Sequence, residues 1–127
     1  MPKRILVVDD DVDIRETLQV ILKSAGYEVI QAADGKEAEA KLQKEPIDLA
    51  ILDVMMESDT RGFHLAYTIR QDPKLKNLPV IMLTGVEEKS GLKLEPEKAG
   101  DFLPVNAFLR KPVDAKELKA KIAELLG

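Results

Sequence analysis

Ile5-Leu6-Val7-Val8-Asp9-Asp10-Asp11 is the stretch on which the fold turns: four apolar residues run without interruption into three carboxylates. A run this short and rich in β-branched residues is a strand, and one that is apolar at every position is covered on both faces. The pattern recurs at Ile47-Asp48-Leu49-Ala50-Ile51-Leu52, Pro79-Val80-Ile81-Met82-Leu83 and Val105-Asn106-Ala107-Phe108-Leu109, with a weaker version at Glu28-Val29-Ile30-Gln31-Ala32. Helical periodicity fills the intervals. Ile14, Leu18, Ile21 and Leu22 share one helix face, as do Ala38 and Leu42, Leu65 and Ile69, and Leu118, Ile122 and Leu125. Gly26 is expected to close the first helix and Asp114 to cap the start of the last. Residues 85–104 have room for one more helix, although Gly91, Pro96 and Gly100 interrupt it. Five strands alternating with five helices predict an α/β fold, a doubly wound parallel sheet with helices on both faces.

The bulk composition agrees. At 127 residues the chain is one domain, 1–127, and its 45% apolar and 33% charged content supports a buried core. Aromatics are only 4%, so that core is built from Leu, Ile, Val and Ala. A net charge of -4 argues against gripping a nucleic-acid backbone, which takes clustered Lys and Arg. Without cysteine there is neither a disulfide framework nor a thiolate metal site. Met1-Pro2-Lys3-Arg4 is followed by only four apolar residues before the acids begin, too few for a signal peptide or a membrane span. A cytoplasmic location is the expectation.

In a parallel sheet of this kind, sites form beyond the carboxyl ends of the strands, where strand order reverses. Four strand ends carry chemistry: Asp9, Asp10 and Asp11 after the first, Asp53 after the third, Thr84 after the fourth and Lys111 after the fifth. Taken singly, Asp and Thr commonly cap the next helix and Lys is commonly solvated. Taken together, they would meet on one rim. Close carboxylates repel one another, a conflict that a hard divalent cation removes. Carboxylates, a carbonyl and waters suit Mg²⁺, which also accepts phosphate oxygens as ligands. A carboxylate can itself attack phosphorus to give an aspartyl phosphate, and metal, ammonium and hydroxyl groups stabilise the charge that develops.

Those residues, read in order, resemble the receiver domain of bacterial two-component response regulators. The matching pieces are Ile5 to Asp11, Ile51-Leu52-Asp53-Val54-Met55-Met56, Val80-Ile81-Met82-Leu83-Thr84 and Phe108-Leu109-Arg110-Lys111-Pro112, and the resemblance covers essentially the whole chain. It implies a flavodoxin-like sheet of order 2-1-3-4-5. It implies Asp53 as the phosphoacceptor of a phosphorelay, with a sensor histidine kinase or phosphotransfer protein as donor. Asp9, Asp10, Asp53 and the backbone carbonyl of Met55 would hold Mg²⁺. Lys111 and Thr84 would contact the phosphoryl group, and Phe108 with Thr84 would form the switch. A downstream protein would be met through the face built by the fourth helix, fifth strand and fifth helix. Such a domain is a switch rather than a turnover enzyme.

The chain departs from the family in places. Glu57 stands where relatives commonly have proline, and Gly62 comes one position late, so residues 57–61 form a longer, more charged loop. The interval between Thr84 and Lys111 is also several residues longer than usual. Met55 and Val86 occupy positions that govern access of water to the phosphorylated carboxylate in the family. Neither can orient a water by hydrogen bonding, so slow self-dephosphorylation is expected. The last helix ends at Leu125-Leu126-Gly127 with no output domain after it, which fits either a stand-alone receiver or one cut from a longer regulator.

Other readings fare worse. Asp9, Asp11 and Asp13 imitate the opening of a calcium-binding loop, but Ile14 and Val20 stand where Gly and Glu are needed. Neither a P-loop nor a G-x-G-x-x-G fingerprint is present, and His64, the only histidine, makes a poor metal site alone. A phosphohydrolase of the haloacid dehalogenase type would use Asp9 and Asp11 but would leave Asp53 without a role. A receiver that only binds partners would have no use for the complete acidic set with Lys111.

Overall fold

A computed structural model describes residues 3–53, 68–84, 107–110 and 114–126, with the backbone alone for Asp53, Thr84, Phe108 and Arg110. The strands are β1 (Arg4–Val8), β2 (Glu28–Ala32), β3 (Leu49–Asp53), β4 (Val80–Thr84) and β5 (Ala107–Arg110). All pair in parallel, in the order β2-β1-β3-β4-β5. The helices are α1 (Val12–Ser24), α2 (Gly35–Lys44) and α3 (Ala115–Leu126), and residues 68–71 are also helical. The helix expected within residues 85–104 lies outside the described residues, as do Leu65, the loop 57–61, Gly62 and His64.

The uninterrupted apolar runs are explained by two cores, one on each side of the sheet. Because successive strand residues point to opposite faces, Ile5, Val7, Leu49, Ile51, Ile81 and Leu83 pack against α1 and α3 through Leu18, Leu22, Leu118 and Ile122. Leu6, Val8, Ala50, Leu52, Val80 and Met82 pack against α2 and the 68–71 turn through Ala38, Leu42 and Ile69. Each fully buried aliphatic contributes roughly 1.5–3 kcal/mol, so the interleaved runs hold the sheet between its helices.

The ends of the elements follow local chemistry. The third run begins at Ile47 in the sequence, yet β3 starts at Leu49. Asp48 intervenes: its carboxylate accepts the Arg4 N–H at 2.7 Å while its own N–H donates to the Arg4 carbonyl at 2.8 Å. Ile47 instead packs against the α2 core from outside the ladder. Likewise β4 starts after Pro79, which has no N–H to give but whose carbonyl accepts the Ala50 N–H. The C-cap of α1 is Ala25, and Gly26 sits one residue beyond it at φ 90. The Gly26 N–H donates to Lys23 O and the Tyr27 N–H to Leu22 O, a Schellman closure that needs a left-handed residue at that place. Asp114 caps α3 as expected, its carboxylate accepting the Glu117 N–H at 3.0 Å.

Between the 68–71 turn and β4, side chains add to the backbone's own turns, in which the Leu75 and Lys76 N–H groups donate to Asp72 O and the Leu78 N–H to Leu75 O. The Arg70 guanidinium donates to the carbonyls of Lys76 and Leu78. Asp72 accepts from the Lys74 N–H and from the Gln43 amide of α2. These two contacts, the backbone one foremost, hold the Asp72 carboxyl below its ordinary value of 3.8.

Two expectations follow. Ile81→Ala, at a position with no exposure, is expected to cost about 2–5 kcal/mol in urea unfolding, whereas Val20→Ala, at 70% exposure, should stay within about 0.5 kcal/mol. Because the folded Asp72 titrates below its unfolded value, its contribution is present above that value and is lost as pH falls through the folded one. An NMR titration should place its midpoint below 3.8, and Gln43→Leu should move it part of the way back; a midpoint unmoved by that change would remove Gln43 from the account.

Candidate functional site

The register decides which strand ends meet. Val8 pairs with Leu52, so Asp9 and Asp53 leave neighbouring strands one residue further on. Asp53 pairs with Leu83, which places Thr84 one residue beyond, and Thr84 pairs with Arg110, immediately before Lys111. Chain order reverses between β1 and β3, because β2 lies on the outer side of β1. Asp9 and Asp53 therefore flank the switch point, where open α/β sheets place their ligands. Phe108 pairs with Met82 inside the ladder, further from that rim. Lys111, Met55 and Val86 lie outside the described residues, and for Asp53, Thr84 and Phe108 the strand position is what the fold supplies.

The turn after β1 is described in full. Asp9 is 1% exposed, the buried acid in a core otherwise apolar among the described residues, while Asp10 and Asp11 are exposed. Burying a carboxylate is costly unless hydrogen bonds compensate, and the turn supplies them. Asp9 Oδ1 accepts the Asp11 N–H at 2.9 Å, and the Asp9 N–H donates to Ala32 O on β2. Asp11 is the N-cap of α1, its side chain accepting the Asp13 N–H. The three acids thus divide their work: Asp11 starts the helix, Asp9 shapes the turn from inside, and Asp10 is carried between them at the surface. Of the acids that resemblance and strand position single out, Asp11 has the role of a cap.

The sequence offered no sign of one participant, Arg15. From the first turn of α1 its guanidinium reaches back to the Asp9 carbonyl, with Nη1 donating at 2.6 Å, and Nε donates to Gln31 Oε1 on β2 at 3.2 Å. A single Arg in a polar helix face looks like solvated surface, and only the fold shows what it touches.

The donor chemistry of this rim fits a small hard cation. Asp9 and Asp10 offer carboxylate oxygens on consecutive residues, one buried and one open to solvent, with Asp53 on the adjacent strand. Mg²⁺ is commonly held by one or two carboxylates while keeping several waters, and Asp9 and Asp10 are carboxylates of that kind. Among the described residues, no group of three or more His, Cys, Asp or Glu side chains gathers around one point.

Known proteins match this arrangement across the chain. The family model for the response regulator receiver domain matches residues 5–123. The transcriptional regulatory protein GltR of Pseudomonas aeruginosa is 38% identical over 124 residues, covering 98% of this chain and 49% of that protein. Among solved structures, the chemotaxis protein CheY4 of Vibrio cholerae superposes with a TM-score of 0.85 at 35% identity, covering 99% of this chain and 100% of that one. The response regulator TrrA of Thermotoga maritima, solved in complex with Mg²⁺-BeF, gives a TM-score of 0.79 at 35% identity, over 98% and 99% of the two chains. The chain spans about half the length of the curated transcriptional regulators it matches.

Replacing Asp11 by Ala removes the cap of α1 and is expected to cost about 1 kcal/mol in urea unfolding. A loss below about 0.3 kcal/mol would show that the cap is not what begins the helix.

Proposed function

This chain belongs to the response regulator receiver domain family, and from that premise we propose that residues 1–127 form a single receiver unit in which Asp53 is the phosphoacceptor of a two-component phosphorelay. The observation that carries the reading is the register, which brings Asp9-Asp10, Asp53 and Thr84 to the carboxyl ends of three adjacent strands, the first two of which flank the switch point.

In the proposed reaction, an Asp53 carboxylate oxygen attacks the phosphorus of a phosphohistidine on a sensor histidine kinase or phosphotransfer protein. The O–P bond forms as the P–N bond breaks, and the departing imidazole nitrogen takes up a proton. Asp9, Asp10, Asp53 and the Met55 carbonyl are the proposed Mg²⁺ ligands. Bound there, the ion would supply positive charge against the phosphoryl oxygens. Lys111 adds an ammonium group and Thr84 a hydroxyl to the same oxygens. Engagement of Thr84, coupled to Phe108 on the neighbouring strand, shifts a two-state equilibrium that a downstream protein reads through the face that the expected fourth helix would build with β5 and α3.

The domain is thus a stoichiometric switch, assisting its own phosphorylation and slow dephosphorylation rather than turning over a substrate. Direct nucleic-acid binding by this chain is disfavoured by its net charge of -4. Among the described residues no helix is long and apolar enough to cross a membrane, and a cytoplasmic setting is the proposal that accords with a kinase donor.

Intact-mass spectrometry after incubation with Mg²⁺ and acetyl phosphate tests the assignment. Wild type should gain one phosphoryl group, and Asp53→Asn or excess EDTA should abolish the gain. An adduct persisting in Asp53→Asn would identify another nucleophile. With Met55 and Val86 unable to orient water, the adduct should decay over minutes or longer, and a half-life of seconds would refute that part.

A further inference from the structure

We infer that Arg15 is a positioning residue for the acidic turn, holding Asp9 and Asp10 in the arrangement that receives the metal ion. The inference rests on the proposed assignment of those two acids as ligands and adds a residue that the assignment does not contain.

The contacts have an unusual economy. Residue 15 grips the backbone on both sides of Asp10. Its guanidinium Nη1 donates to the Asp9 carbonyl at 2.6 Å, and its own N–H donates to the Asp11 carbonyl at 3.1 Å. The Asp9–Asp10 peptide is therefore tied to the Arg15 side chain, while the bond to the Asp11 carbonyl is the first backbone bond of α1, which any residue at position 15 makes. The guanidinium is itself oriented: Nε donates to Gln31 Oε1 at 3.2 Å, and the Gln31 amide donates onward to Gln19 Oε1 on the next turn of α1. Arg15 and Gln31 are both half-buried, so these bonds compete with less water than surface pairs do. A planar fork with donors at fixed angles can hold two acceptors at once, which a Lys ammonium on a flexible stem does less well. The Asp9 Oδ1 bond to the Asp11 N–H closes the turn from the opposite side.

Electrostatics gives the inference a sign. A guanidinium beside a cation site repels the cation. If Arg15 acted only through its charge, its removal would tighten Mg²⁺ binding. If it acts by holding the turn, removal loosens the ligands and weakens binding despite the lost repulsion. Groups that orient metal ligands from behind are typically worth about 10–100-fold in affinity. With the repulsion subtracted, Arg15→Gln is expected to fall near the lower limit, about tenfold.

The experiment is Mg²⁺ titration by calorimetry on wild type, Arg15→Gln, Arg15→Lys, Gln31→Leu and Asp10→Asn. Amide exchange of Asp11 is measured alongside in metal-free protein, with urea unfolding in EDTA to confirm folding. Arg15→Gln should weaken binding and speed Asp11 exchange. Arg15→Lys should recover part of both by reaching the Asp9 carbonyl without the fork. Gln31→Leu keeps the charge and removes the guide, so it should produce an intermediate loss. Tighter binding in Arg15→Gln, or unchanged binding with unchanged Asp11 exchange, would overturn the inference. Equal binding by wild type and Asp10→Asn would instead overturn the ligand assignment and the metal half of the inference with it; the exchange data would still decide whether Arg15 holds the turn.

Discussion

A strand buried on both faces has no side chain to spare for chemistry along its length, and this constraint shapes everything else in the molecule. Ile5 to Val8, Leu49 to Leu52 and Val80 to Leu83 are consumed by the two cores. Polar function can begin only where these apolar runs end, in the last ladder pair or just beyond it. Parallel pairing then makes those exits coincide on one rim, because every strand arrives pointing the same way. The acidic residues are not scattered features that the fold happens to collect. They are the first positions at which the packing of a doubly covered sheet permits them.

The first of these exits is the most demanding. Asp9 follows Val8 while still buried, so its charge needs partners that the core cannot give. The Asp11 amide closes on the carboxylate, and the Asp9 backbone is tied as well, with β2 accepting its amide and Arg15 donating to its carbonyl. Helix α1 and strand β2 are thereby recruited to the site although neither carries a proposed ligand. The sheet positions the strand ends, and the helix behind the first strand sets the fine geometry of the turn.

Much of this was legible in the sequence because it depends on short-range pattern. The strands announced themselves as apolar runs bounded by acids or turn residues, and the two cores are the odd and even members of those runs. Asp114 was readable as a cap because a carboxylate before an amphipathic stretch has one common use. Gly26 was readable as a helix end, though the cap itself is Ala25 and the glycine serves one residue later, where the chain needs positive φ. The start of β3 was misplaced by the apolar character of Ile47, which packs without joining the ladder because Asp48 locks β1 to β3 first. Arg15 was not legible at all. Its role depends on a backbone carbonyl six residues earlier and on a glutamine sixteen residues later, and neither relation leaves a periodic trace.

The separation of the sheet into two faces also bears on how such a chain drifts over generations. Ile5 and Leu6 share a peptide bond, yet they belong to different cores with no side-chain neighbours in common. A change at one can be compensated only within its own face, from residues such as Leu118 or Ile122, while the other face remains as it was. Adjacent residues in these strands therefore answer to different sets of packing partners, whereas Ile5 and Leu118, more than a hundred positions apart, answer to the same one. The two halves of the interior can be rewritten one at a time around a rim that stays fixed.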